Sequence, residues 1–129
     1  MTDNRIWQPR PPLLADLSDE ERAVLNALWP DHVGAPFAIP RADLVAATGL
    51  HDRDVRDIIL ALTIHRRIPI IGGSAPPTLG YYICRDLAEL RRADEFLTKY
   101  IDTLAVRRQT YRRYILAGGA EQTSLALTN

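Results

Sequence analysis

Residues 41–67, RADLVAATGLHDRDVRDIILALTIHRR, constrain the fold more than any other stretch of the chain. Their apolar residues recur at intervals of three and four, which is the period of a helix with one buried face. The pattern predicts a short helix and a longer helix joined at residues 48–50, where Gly49 tolerates the positive φ that a tight turn requires. Two helices joined so closely must cross and bury apolar side chains between them. The residues that we expect at the crossing are Leu44, Leu50, Val55, Ile58 and Ile59.

The residues before this segment predict another helix and an N-terminal arm. Ser18 and Glu21 form an S-x-x-E pattern, in which each side chain satisfies an amide at a helix start, and Pro30 ends the helix that follows. Residues 1–17 are rich in proline and show no periodicity, so we expect an extended arm. Trp7 either pins that arm to the body, makes contacts in an oligomer, or belongs to a disordered tail.

The residues on either side of the two crossing helices predict short strands. Residues 37–39 suit a short strand, and Pro40 suits the first position of the next helix, where its missing N–H is not needed. After the second helix, residues 68–71 and 81–84 read as two strands of a hairpin, with residues 72–80 as the loop between them.

Residues 86–116 form one long helical pattern without glycine or proline. Its apolar residues recur every seven positions in two columns, the second of which is interrupted by Asp94 and Arg108. A helix of about 30 residues spans ~45 Å, which is longer than the small domain formed by the rest of the chain can cover. A second copy of the chain is the simplest partner for its apolar residues. The alternative is that the helix folds back on the first helix of its own chain. The residues expected at the dimer interface are Leu90, Leu97, Ile101, Leu104 and Tyr111.

Composition excludes several classes of protein. The 16 basic and 16 acidic side chains cancel, so the whole-chain charge does not indicate nucleic acid, although residues 99–113 carry five basic side chains and one acidic side chain, Asp102. The single cysteine, Cys84, excludes an intramolecular disulfide and fits a reducing compartment. Because no apolar run approaches the length of a membrane span and the first residues do not resemble a signal peptide, we expect a cytoplasmic protein with no membrane partner.

No catalytic or metal-binding constellation is predicted. His32, His51 and His65 fall on different elements, and neither HExxH nor CxxC spacing is present. The pair Gly72-Gly73 lacks the Lys and Ser/Thr of a phosphate-binding loop. We therefore expect no enzyme activity, no cofactor and no metal, and a structural role for Cys84 in the core.

The order helix, short strand, helix, turn, helix and hairpin, carried by IPRADLVAATGLHDRDVRDIILALTIHRRIPIIGGSAPPTLGYYIC, resembles the winged-helix domains of bacterial and phage DNA-binding proteins. The resemblance covers about residues 17–85. It implies a mainly α fold with a small β-hairpin (α+β), a winged helix-turn-helix with a long C-terminal dimerisation helix. The implied division of the chain is an arm at 1–17, a winged-helix domain at 18–85, a dimerisation helix at 86–117 and a flexible tail at 118–129.

The function that the resemblance implies is binding of double-stranded DNA by a homodimeric transcriptional regulator. One alternative is a winged helix that docks another protein, such as a polymerase or a phage assembly component. Another is a factor that handles DNA during phage replication or packaging.

In the DNA-binding interpretation, residues 51–63 enter the major groove and residues 72–79 form a wing beside it. Arg53 and Arg56 would read guanine edges, and Asp52 or Asp57 would accept from a cytosine amino group. The uncharged wing would contribute backbone N–H groups or hydroxyls. The alternative is a solvated helix face with Arg53 paired to Asp57. The expected DNA-contacting residues are Arg41, His51, Asp52, Arg53, Arg56, Asp57, Thr63, Arg66, Arg67, Ser74 and Thr78.

Overall fold

A computed structural model describes the backbone of residues 5–75 and 78–128 and the side chains of residues 5–72 and 80–118. The described chain contains the helices α1 (Pro11–Asp16), α2 (Asp19–Leu28), α3 (Arg41–Thr48), α4 (Asp52–Ile64) and α5 (Leu87–Thr128) and the strands β1 (Ile70–Ala75) and β2 (Thr78–Ile83). The two strands form one antiparallel sheet. This confirms the predicted mainly helical class, with a small two-stranded sheet and a long C-terminal helix. The chain divides into two compact units, Met1–Arg92 and Ala93–Asn129.

Helix α2 begins as its sequence predicts. The Ser18 hydroxyl accepts from the Glu21 amide at 3.1 Å, and the Glu21 carboxylate accepts from the Ser18 amide at 3.0 Å, so each side chain satisfies an otherwise free N–H. The helix places Val24, Leu25 and Leu28 in the core, where they are fully buried. Each such side chain contributes roughly 1.5–3 kcal/mol through its removal from water.

Helices α3 and α4 cross at the predicted turn. Gly49 ends α3 with a φ of 71°, and its amide donates to the Val45 carbonyl at 2.9 Å. Leu44 of α3 is fully buried. The three residues of α4 expected at the crossing, Val55, Ile58 and Ile59, are buried, and so is Leu62, which continues the same face. The spacing i, i+3, i+4, i+7 therefore predicted correctly which side of α4 meets the core.

The hairpin is longer and its loop shorter than predicted. The expectation of a loop over residues 72–80 was wrong, because β1 continues to Ala75 and β2 begins at Thr78, with Gly73 opposite Gly80 in the register. Glycines in a strand mark places where another group approaches the backbone closely. A Cβ added at Gly72 would lie 2.8 Å from Cε1 of the Tyr81 ring. The glycine-rich composition thus reflects close packing within strands rather than a loop.

The predicted strand at residues 37–39 was also wrong. Ala35–Phe37 forms one turn of 3₁₀ helix, and Ile39 alone makes a bridge to Tyr81, with N···O distances of 2.9 and 2.8 Å. Pro40 follows at the N-cap of α3, one position before the predicted one, and because proline has no N–H it cannot extend the pairing. A single bridge is therefore all that this segment adds to the sheet.

The N-terminal segment is docked on the body, and part of it is helical rather than extended. Pro11 and Pro12 occupy the first turn of α1, where the missing N–H groups are not needed. Leu13 and Leu14 pack against the core. The Trp7 ring contacts the Trp29 ring edge-on with centroids 5.6 Å apart, and the Ile6 amide donates to the Arg85 carbonyl at 3.2 Å. Of the alternatives left open for Trp7, the structure shows the one in which its side chain holds the N-terminal arm against the body.

The sequence predicts that the C-terminal helix ends before Gly118 and that a flexible tail follows at 118–129. In the structure α5 instead continues through Gly118 and Gly119 to Thr128, so the predicted tail is helical over its described backbone. A glycine inside a helix costs about 1 kcal/mol relative to alanine, which is small enough for a helix to continue through it. At its start, the Asp86 carboxylate accepts from the Glu89 amide at 2.9 Å. No helix in the described part of the chain is long and apolar enough to cross a membrane.

Candidate nucleic-acid interface

Helix α4 buries its inner face in the core and exposes its outer face to solvent. His51 precedes the helix, and Arg53, Arg56 and Asp57 point outward from it; all four are exposed. The sequence predicted these residues as candidates, and the structure brings them together on one helix surface. A helix surface of this kind offers planar guanidinium groups next to carboxylates, a combination that can bind the edges of bases or a charged protein surface.

Asp52 lies between two arginines at the start of α4. The Arg41 Nε atom is 2.6 Å from Asp52 Oδ1, and the Arg56 Nε atom is 3.9 Å from Asp52 Oδ2. All three side chains are about half exposed, so the pairs contribute at most about 1 kcal/mol each. The Arg41–Asp52 pair joins the start of α3 to the start of α4, whereas the Arg56–Asp52 pair lies within α4. The pairing of Arg53 with Asp57, which the sequence offered as the alternative to DNA contact, is absent from the described residues, where neither side chain forms an ion pair.

Arg66 was predicted to contact DNA, but it lies against the body of the protein. Its guanidinium donates to both carboxylate oxygens of Glu21, at 3.2 and 3.3 Å, and to the Asp16 carbonyl at 3.0 Å. These hydrogen bonds, with Arg66 the largest cause, lower the pKa of Glu21 below its ordinary value. Since binding a phosphate would require breaking this network, we leave Arg66 out of the candidate interface.

The remaining predicted residues differ in how accessible they are. Arg67 is exposed and has a φ of 58°, whereas Thr63 is half-buried and donates from its hydroxyl to the Ile59 carbonyl at 2.8 Å. The side chains of Ser74 and Thr78 lie outside the described residues. Their backbones are paired in the hairpin ladder, Ser74 with Leu79 and Thr78 with Ala75.

An apolar pair on the exposed side of α4 was not assigned a role from the sequence. Leu60 and Ile64 are each 58% exposed and lie one helical turn apart. The signal that could have identified them is their spacing, since both fall outside the buried set of Val55, Ile58, Ile59 and Leu62. They add an apolar patch beside the charged start of the helix.

Glu89 is a buried acid, 2% exposed, to which no role was assigned from the sequence. Its carboxylate accepts from the amides of Ala35 and Arg85, at 2.8 Å each, and so ties the first turn of α5 to the loop before α3. The signal available was its position three residues after Asp86, in the first turn of a helix. The contacts of Glu89 are structural.

Cys84 is fully buried, as expected for a core residue. Its thiol donates to the Asp86 carbonyl at 3.2 Å, and burial, with the nearby Glu89 carboxylate as the next cause, raises the pKa of the thiol to about 11. A thiol of this kind is a poor nucleophile at neutral pH. Within the described residues, no group of three or more His, Cys, Asp or Glu side chains is placed to hold a metal ion.

The predicted dimer residues on α5 fall into two groups. Leu90, within the first unit, is half-buried. Leu97, Ile101, Leu104 and Tyr111 are exposed, with Leu104 the least so at 38%. Large apolar side chains repeated along one exposed helix are typical of a surface that a partner covers.

Comparisons with protein-family models, with curated proteins and with solved structures gave no match for this chain. The candidate interface therefore has to be interpreted from its own geometry and chemistry.

Proposed function

We propose that this chain is a winged-helix protein that binds double-stranded DNA as a homodimer and regulates transcription in a bacterium or phage. The observation that carries the proposal is the exposed outer face of α4, which follows α3 across a three-residue turn and precedes an antiparallel hairpin. A helix is about 10–12 Å across with its side chains, and the major groove of B-DNA is ~12 Å wide, so α4 fits as the recognition helix.

Arg53 and Arg56 are the residues best suited to read bases. They are three positions apart on the exposed face, and a guanidinium can donate two hydrogen bonds to the O6 and N7 atoms of guanine. Asp57, one position further along, suits a cytosine amino group. His51 precedes the first turn and lies within reach of the same groove in this docking.

Arg41 and Arg67 suit phosphate contacts at the two ends of α4, while Asp52 orients Arg41 and Arg56 rather than contacting DNA itself. The hairpin would lie beside the groove and contribute backbone N–H groups. Because the cations are few and partly paired, most of the binding free energy would come from base contacts and from the two-fold repetition of the site.

The test is a fluorescence-anisotropy titration with a duplex selected from random DNA. We expect the double variant Arg53→Ala/Arg56→Ala to weaken specific binding by at least about tenfold, since each bidentate contact contributes ~1–3 kcal/mol. The matched control is Arg91→Ala/Arg92→Ala, which removes two exposed arginines from α5 and should leave affinity nearly unchanged. If the folded dimer bound no duplex even at low salt, the DNA-binding proposal would be contradicted.

A second candidate function, docking of another protein, is favoured by the exposed pair Leu60 and Ile64. Apolar side chains beside paired charges resemble the composition of a protein interface more than that of a phosphate-binding surface. The variant Leu60→Ser/Ile64→Ser separates the two functions. It should abolish protein docking, whereas DNA binding should depend on Arg53 and Arg56.

A further inference from the structure

The exposed part of α5 carries a two-column apolar stripe in a seven-residue repeat. We define the stripe by its exposed apolar members, which are Leu97, Ile101, Leu104, Tyr111 and Ile115. The column that contains Ile101 and Ile115 is interrupted twice, by Asp94 and by Arg108. These charges have opposite sign and lie seven residues on either side of Ile101. Both are exposed, and neither forms an ion pair within the described residues.

The parallel and antiparallel orientations of a helix pair bring Asp94 and Arg108 next to different residues of the second copy. In a parallel pair each column position meets the same position of the second copy, so Asp94 would meet Asp94 and Arg108 would meet Arg108. Like charges in an apolar seam repel each other and lose their hydration. In an antiparallel pair the order is reversed, so Asp94 of one copy approaches Arg108 of the other.

The charges outside the stripe favour the same orientation. Outside the stripe, residues 87–102 carry the acids Glu89, Glu95 and Asp102 against three basic side chains, whereas residues 103–116 carry three arginines and no acid. Parallel pairing would place the arginine-rich half against itself. Antiparallel pairing places it against residues 87–102, which contain every acid of residues 87–116, so repulsion between the arginine-rich segments is avoided.

We propose that α5 pairs with α5 of a second copy in antiparallel orientation, centred between Ile101 and Leu104. At that centre Asp94 lies level with Tyr111 of the second copy, and Arg108 of that copy is one helical turn away, within reach of its long side chain. Residues 90–115 then overlap over about 39 Å, which is more than three seven-residue repeats. The starts of the two helices lie at opposite ends of the pair.

This inference rests on the proposed homodimer and not on DNA binding. The first test is a charge swap measured by sedimentation equilibrium without DNA. Asp94→Arg and Arg108→Asp should each raise the dimer dissociation constant by about tenfold or more, since each creates a like-charge contact. The double variant Asp94→Arg/Arg108→Asp should return to within about threefold of the parent.

Glu95→Arg and Arg113→Asp are the matched controls, because they make the same charge changes at exposed positions outside the stripe; each should raise the dissociation constant clearly less than the corresponding change inside the stripe does. Parallel pairing predicts a different pattern, since each single swap only exchanges one like-charge contact for another. Single variants that dimerise like the parent would overturn the proposal, and so would a double variant as weak as the single ones.

The second test measures orientation directly with a spin label on Ala117→Cys, read by pulsed electron paramagnetic resonance. Antiparallel pairing centred as proposed places the two labels roughly 45 Å apart, whereas parallel pairing places them about 10–20 Å apart. The parent, whose only cysteine is the buried Cys84, controls for background labelling. A distance of about 10–20 Å between the labels would contradict the antiparallel orientation but not the dimer, whereas a monomeric parent would contradict both. The DNA titration tests DNA binding separately from either result.

Discussion

At the scale of single residues, the glycines of the hairpin illustrate how a side chain that is absent can determine structure. Gly80 has a φ of 106°, and a Cβ added there would overlap the carbonyl oxygen of Ile39. Gly49 also has a positive φ, of 71°, but has open space around it. The first glycine is required both by its backbone conformation and by close packing, and the second by its conformation alone.

We therefore expect Gly80→Ala to destabilise the fold more than Gly49→Ala does. The change at Gly49 should cost about 1 kcal/mol, which is the usual penalty for a left-handed backbone without a clash. The change at Gly80 should cost about 3 kcal/mol or more, because the Ile39–Tyr81 bridge must also move. Urea unfolding of both variants measures the difference, and equal losses would show that the hairpin does not pack against Ile39 as described.

At the scale of elements, the ion pair of Glu21 with Arg66 joins α2 to the segment that follows α4, in addition to their packing in the core. The Glu21 side chain is 14% exposed, and the Arg66 hydrogen bonds lower its pKa. A carboxyl group with a lowered folded-state pKa stabilises the fold above its unfolded pKa, near 4.3, and that contribution is lost as the pH falls through the folded value.

Glu21→Gln tests this contact, because glutamine retains the capping hydrogen bond but not the charge. The variant should be less stable than the parent by about 1–2 kcal/mol near pH 7, and the difference should shrink as the pH falls through the lowered folded-state pKa of Glu21. Chemical unfolding at a series of pH values below 7 measures it, with the exposed neighbour Glu20→Gln as the control. A difference that did not change with pH would contradict the assigned role of the charge.

At the scale of the whole molecule, the proposed function depends on two copies of the chain. Few cations are available at the outer face of α4, and Asp52 already pairs with Arg56 and with Arg41 of α3. A single copy would therefore bind DNA weakly, and a two-fold dimer would gain affinity by engaging two half-sites at once.

We expect the selected operator to be an inverted repeat with half-site centres one helical turn, ~34 Å, or a multiple of it apart. Replacing one half-site by unrelated sequence should weaken binding by at least about tenfold, because the second contact set is lost. Anisotropy titration of the intact and half-replaced duplexes measures this. Equal affinity for both duplexes would mean that one copy acts alone.

Local signals in the sequence were sufficient to predict four features: the capping box of α2, the turn at Gly49, the buried face of α4 and the start of the long α5. Each follows from periodicity or from backbone chemistry within a few residues. The tertiary structure alone decided the extent of the hairpin, the docking of Trp7 and the partners of Arg66 and Glu89. These features depend on contacts between residues far apart in the chain, such as Glu21 with Arg66 or Ile39 with Gly80. No local sequence pattern specifies which distant residues come into contact. For the same reason the sequence identified the outer face of α4 as the candidate site, while only the folded chain showed which of its arginines are already engaged.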